Sequence, residues 1–130
     1  PESMRAAIEG MARRPGRKIV ALGEMRELGE GSAALHAGLA GAIVSAKVSA
    51  AVLSGEEMKH LADELRARDA GIRVVHVTGP AEAAELVKSW LEPADVVLIK
   101  GSNASGMARV GVVLRQMSQS AAGPQKASGA

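Results

Sequence analysis

The chain has 130 residues, 47% of them apolar, with a formal net charge of +2, enough length and apolar surface for one folded domain with its own core. One Trp, no Phe and no Tyr leave no aromatic platform for stacking single-stranded nucleic acid, so the core must be built from Ala, Val, Leu, Ile and Met. Absence of cysteine excludes disulfide and thiolate-metal frameworks, and no segment approaches the ~20 apolar residues of a membrane span or carries a charged-then-apolar export leader.

Ser3 suits the N-cap of a helix with Met4, Ala7, Ile8 and Met11 at helical spacing, ending near Arg13 ahead of Pro15-Gly16. Arg13, Arg14, Arg17 and Lys18 are the one local basic cluster and read as a solvated helix terminus, not a nucleic-acid patch. Lys18-Ile19-Val20-Ala21-Leu22-Gly23 reads as a short buried strand. Ser32 then caps a helix reaching about Ala46, with Leu35, Leu39 and Ile43 inward. A second strand runs from Val48 to Leu53 and stops at Ser54-Gly55. Helix 56–70 buries Met58, Leu61 and Leu65 and ends at Gly71. The third strand, 72–77, closes at Thr78-Gly79-Pro80, and Pro80 opens a helix over 81–91 with Ala84, Leu86, Val87 and Leu91 apolar. Strand 95–99 follows, then a last helix over 104–118 with Met107, Val110, Leu114 and Met117 on one side.

Strands separated by helices of this length are βαβ units, and their continuous apolar runs suit a sheet covered on both faces. The expected architecture is α/β: a Rossmann-like three-layer sandwich on a mainly parallel sheet of four strands. Right-handed crossovers predict the order third, second, first, fourth, with the switch point between the loops that follow Gly23 and Lys100. Residues 1–118 form the domain; 119–130, rich in Ser, Ala, Gly, Gln and Pro, are expected to be a flexible tail.

Neither standard nucleotide-phosphate loop is present: no Gly-x-Gly-x-x-Gly follows the first strand, and Gly-x-x-x-x-Gly-Lys-Ser/Thr occurs nowhere. His36, His60 and His76 match no metal-binding spacing, and no metal site is expected. His60 falls on an exposed helix face, and His76 suits a satisfied imidazole within a strand. His36 lies one turn into the helix after the Gly23 loop and could look back toward it, or simply pack. Glu24 and Glu27 leave a strand into a loop, where a carboxylate can hold a cation, an ammonium or a ribose hydroxyl, or stay a solvated charge beside Arg26. Lys100 closes an apolar run and must emerge into a polar cleft or snorkel out at the sheet edge. With Gly101, Ser102 and Asn103 it makes a strand-to-helix turn rich in N–H groups, a fit for an anion or carboxylate.

Taken together, Lys-Ile-Val-Ala-Leu-Gly-Glu-Met-Arg-Glu-Leu-Gly from Lys18, then Ser32 and His36, then Val-Val-Leu-Ile-Lys-Gly-Ser-Asn from Val96 with Met107 beyond resemble the C-terminal domain of the Mur ligases. The opening Pro1-Glu2-Ser3-Met4-Arg5-Ala6-Ala7 fits the same family, whose first loop usually reads Gly-Asp-Met where this chain has Gly23-Glu24-Met25. The resemblance is strongest to the branch that adds D-alanyl-D-alanine to UDP-N-acetylmuramoyl-tripeptide in peptidoglycan biosynthesis. It implies a cytoplasmic, monomeric three-domain enzyme, of which this chain is one piece, starting after the family domain's first strand. ATP and magnesium would be bound mainly by the central domain, and the nucleotide sugar by the N-terminal domain. No catalytic residue is expected within this chain, and no nucleic acid or membrane partner. Lys100, Ser102 and Asn103 would hold the dipeptide carboxylate, with Glu24 and His36 on the facing wall. Two alternatives stay open: Glu24 and Lys100 pair with each other and bind nothing, or the chain is a free-standing Rossmann-like ligand-binding or protein-interaction module.

Overall fold

The apolar runs form a four-stranded, all-parallel sheet in the order β3-β2-β1-β4, the order expected from the sequence and one compatible with right-handed crossovers. Its strands are β1 (Lys18–Gly23), β2 (Ala50–Ser54), β3 (Arg73–Val77) and β4 (Val96–Lys100). The helices are α1 (Glu2–Ala12), α2 (Ser32–Ser45), α3 (Lys59–Arg68) and α4 (Pro80–Trp90). The computed structural model describes residues 2–24, 32–68, 71–101, 105–108 and 110–112. Arg26, Glu27, Ser102, Asn103, most of the expected last helix and the tail 119–130 lie outside the described residues. Among those described, no helix is long and apolar enough to cross a membrane.

Strand alternation divides the core into two layers. Val20 and Leu22 of β1 and Ala51 and Leu53 of β2 face α1, α2, α3 and the turn before α3, where Met4, Ile8, Met11, Leu39, Ile43, Met58, Leu61 and Leu65 are buried. Ile19, Ala21, Ala50 and Val52 face the other way, onto Ala83, Ala84 and Val87 of α4 and onto Met107 and Val110. Helices therefore cover both faces, which makes the three-layer sandwich.

Local chemistry moves several element ends from where periodicity sets them. The second strand begins at Ala50, not Val48, because Lys47 takes a left-handed φ of 57° and the Val48 N–H returns to Ile43 O at 3.4 Å. Val48 is still buried, as the apolar closure of α2. The helix expected over 56–70 opens instead as a 3-10 turn, Glu56–Met58, before α3 begins. Of the four apolar strands only β1 and β2 are buried nearly throughout; β3 and β4 are half-buried because each is a sheet edge among the described strands. Leu86, expected inside, is half-buried on α4, whose buried stripe is Ala83, Ala84 and Val87.

At the amino ends of the strands, Arg17 is more than a solvated terminus. Its Nε and Nη2 donate to Asp95 Oδ1 and Oδ2 at 3.1 and 2.7 Å, and Nη2 also reaches Trp90 O at 2.5 Å. The Glu92 N–H donates to Asp95 Oδ2 at 2.8 Å, and the Val96 N–H to Arg17 O at 2.8 Å, which ties the start of β4 to the start of β1. The Arg17 hydrogen bonds, helped by the Glu92 N–H, hold the Asp95 carboxyl below the usual carboxylate range. A carboxyl with a lowered folded pKa stabilises the fold above its unfolded value, about 4, and that contribution is lost as pH falls through the folded value. Asp95→Asn should therefore flatten the stability profile on the acid side while leaving its slope near neutrality unchanged. Urea unfolding followed from about pH 6 to about pH 3 checks this.

Candidate functional site

The register puts three chain exits along one edge of the sheet. Leu22 pairs with Lys100, and Gly23 with Ser54, so Glu24, Gly55 and Gly101 leave β1, β2 and β4 side by side. From β1 the chain enters α2 on one face; from β4 it passes to Met107 and Val110 on the other. The crevice where an open α/β sheet receives ligands therefore lies between β1 and β4.

Glu24 and Lys100, the charges read as facing walls, rise from the same end of the sheet on these adjacent strands. Lys100 is half-buried at the end of β4, on the face shared with Val96 and Leu98. Among the described residues no ion pair joins it to Glu24, whose carboxylate leans toward β2 instead. Glu24 Oε2 accepts the N–H of Glu57 at 2.5 Å, closing over Gly55. A Cβ at Gly55 would lie 2.7 Å from Glu24 Cγ and Cδ, and Gly55 has φ 108°, so glycine alone suits that turn. The carboxylate thus caps the 3-10 turn ahead of α3, where a negative charge also suits the helix dipole.

His76 supports the same turn from the other side. Its half-buried ring donates from Nε2 to Gly55 O at 2.6 Å, so this imidazole is spent on structure. His60 is exposed on α3. The backbone of His36 lies in α2, while its side chain, like Ser102 and Asn103, lies outside the described residues. The described residues contain no group of three or more His, Asp or Glu placed to hold a metal ion.

Two glycines at this edge have a packing role that the sequence, which presents Gly23 as a strand end and Gly101 as part of the Lys100 turn, does not display. Gly23 and Gly101 occupy the positions where alternation would aim side chains at the α4 layer, after Ile19 and Ala21 on one strand and Val97 and Ile99 on the other. A Cβ on Gly23 would lie 2.3 Å from Met107 Cγ and 2.8 Å from Ser105 Oγ. One on Gly101 would lie 2.5 Å from Ser105 Oγ, 2.9 Å from Met107 Cγ and 3.2 Å from the Gly23 Cα. The missing side chains make a notch that the returning chain fills. A glycine at the inward position of two different strand ends was the available signal.

A parallel sheet with helices on both faces, its switch point between β1 and β4, defines an α/β domain of the Rossmann-like class. Residues 1–103 match the family described as Mur ligase, glutamate ligase domain, and the chain belongs to that family. The UDP-N-acetylmuramoyl-tripeptide–D-alanyl-D-alanine ligase of Mycobacterium leprae (strain TN) is 34% identical over 131 residues, covering 88% of this chain and 25% of the relative. The ligase of the same name from Mycobacterium tuberculosis (strain ATCC 25618 / H37Rv) is 32% identical over 130 residues, covering 85% of this chain and 26% of the relative. The chain therefore spans about a quarter of the length of the curated relatives it matches. In fold it is similar to the MurF ligase of Thermotoga maritima, solved in complex with ADP, with a TM-score of 0.70 and 24% identity over 89% of this chain and 26% of that one. The MurF of Acinetobacter baumannii gives a TM-score of 0.74 and 23% identity at the same coverage, 89% and 26%.

Proposed function

We propose that this chain is the dipeptide-carrying C-terminal domain of an ATP-dependent ligase that joins D-alanyl-D-alanine to UDP-N-acetylmuramoyl-tripeptide, a cytoplasmic step of peptidoglycan biosynthesis. The observation that carries this reading is the family match over residues 1–103, together with relatives of that one name at 32–34% identity. The chain's own residues do not fit the phosphates or the magnesium: it has neither phosphate loop, and no metal-ligating cluster among the described residues. In this reading those groups are held mainly by the remainder of the ligase.

What this domain contributes is proximity and the exclusion of water. D-alanyl-D-alanine arrives as a zwitterion, and its carboxylate is matched by the Lys100 ammonium and the turn that follows it. Its ammonium is matched by Glu24, which keeps acceptor capacity after receiving one N–H, since a carboxylate can accept about four hydrogen bonds. Closing the domain onto the rest of the ligase brings the dipeptide amine to the activated tripeptide carboxyl and shields that carboxyl from hydrolysis.

The test is a reconstitution. With ATP, magnesium, muramoyl tripeptide and D-alanyl-D-alanine, the chain alone should release no phosphate and form no amide, whereas the ligase that contains it should do both. Turnover by the chain alone would overturn the division of labour. A ligase that ignores D-alanyl-D-alanine would overturn the substrate.

A further inference from the structure

We propose that Met107 is a positioning residue for dipeptide binding: seated in the notch left by Gly23 and Gly101, it holds the Lys100 turn in one place relative to Glu24. The inference rests on the function proposed above and goes beyond it by naming what sets the distance between the two walls. Glu24 directly follows Gly23, and Lys100 directly precedes Gly101. Any movement of β4's end against β1's end is therefore a movement of one charge against the other.

Met107 is 1% exposed, and its Cγ sits where the side chains of both glycines would otherwise be. The segment that delivers it is held from outside as well. Gly106 takes φ 74°, and a Cβ there would lie 3.0 Å from Pro80 Cγ at the head of α4. The Met107 N–H donates to Ser105 Oγ at 3.4 Å, and Met107 O accepts the Val110 N–H at 3.0 Å, which starts the helical stretch. One side chain thus packs beneath the bases of both loops, wedged there by α4. An unbranched thioether fills such an irregular gap well. Removing it leaves a void under both loops, and small displacements of groups that orient a substrate are expensive.

Val110 supplies the control. It is also fully buried in the same layer, yet it is not among the atoms nearest either glycine. In the full-length ligase, Met107→Ala should raise the KM for D-alanyl-D-alanine about tenfold or more, with the KM for ATP within about twofold. Val110→Ala, chosen for a comparable loss of stability, should leave both KM values within about twofold. Met107→Leu, nearly equal in volume, should restore the dipeptide KM. If Met107→Ala does not fold, Met107→Val carries the same comparison. An unchanged dipeptide KM, or equal rises in the Met107 and Val110 variants, would overturn the proposal. A wild-type ligase that turns over without regard to D-alanyl-D-alanine would instead mark the failure of the functional reading beneath it.

Discussion

Leu53→Ala should destabilise the fold by about 2–5 kcal/mol, the range for deleting a large buried aliphatic side chain. Leu53 is fully buried in β2, with Leu22 beside it on β1 and His76 on β3. Strands on both flanks and α2 and α3 above belong to one packed layer, so the site cannot collapse to refill the space. Aromatic residues offer no compensation, because the chain has a single Trp and no Phe or Tyr. Trp90 itself stands at the end of α4, 5.2 Å from the Arg73 guanidinium and away from this layer. Val112→Ala is the matching control: at 43% exposed it should change stability by no more than about 0.5 kcal/mol. Urea titration of the three proteins measures both values, and a Leu53→Ala loss no larger than that of Val112→Ala would contradict the assigned core.

Lys100→Ala should have the largest effect on substrate use that leaves the fold intact. A charge-assisted hydrogen bond to a carboxylate is worth about 1.5–3 kcal/mol, so its removal should raise the dipeptide KM about ten- to a hundredfold in the full-length ligase. Stability should change by less than about 1 kcal/mol, because Lys100 is only half-buried, at the last position of an edge strand. Lys100→Arg should recover part of the loss, since the charge returns with a different shape. Steady-state kinetics with varied dipeptide, run beside a thermal melt, separates the outcomes. Unchanged kinetics with a large fall in stability would make Lys100 a structural residue.

Acid sensitivity and cavity formation act at opposite ends of the strands. Arg17 and Asp95 join β1 to β4 at their amino ends, and Met107 joins them at their carboxyl ends. The pair β1–β4 is thus clamped twice, by the Arg17–Asp95 ion pair, whose carboxylate is nearly buried, and by packing in the notch. A change to either clamp should leave the other in place, so their effects on stability should add.

The alternation of strands and helices, the parallel order and the inward residues of α1 and α3 were legible in the sequence because they depend on local periodicity and on the handedness of crossovers. Met4, Ile8 and Met11, or Met58, Leu61 and Leu65, repeat every three or four residues and can face only one way. The common edge of Glu24 and Lys100 followed from the same rules, since both close strands that run in parallel. What the Glu24 carboxylate touches did not follow. Its partner, the Glu57 N–H, lies far along the chain and comes within reach only once β2 pairs with β1. The strand ends shifted for the same reason: Lys47 and Gly55 take positive φ where the tertiary frame needs a sharp turn. So too with the notch: sequence displays Gly23, Gly101 and Met107 as separate residues, and packing brings them together. Composition and periodicity determined which segments become strands and helices and which faces they bury; only the packed sheet decided which carboxylate caps a turn, which histidine is spent and which methionine lies beneath both loops, because those are contacts between residues that no local pattern relates.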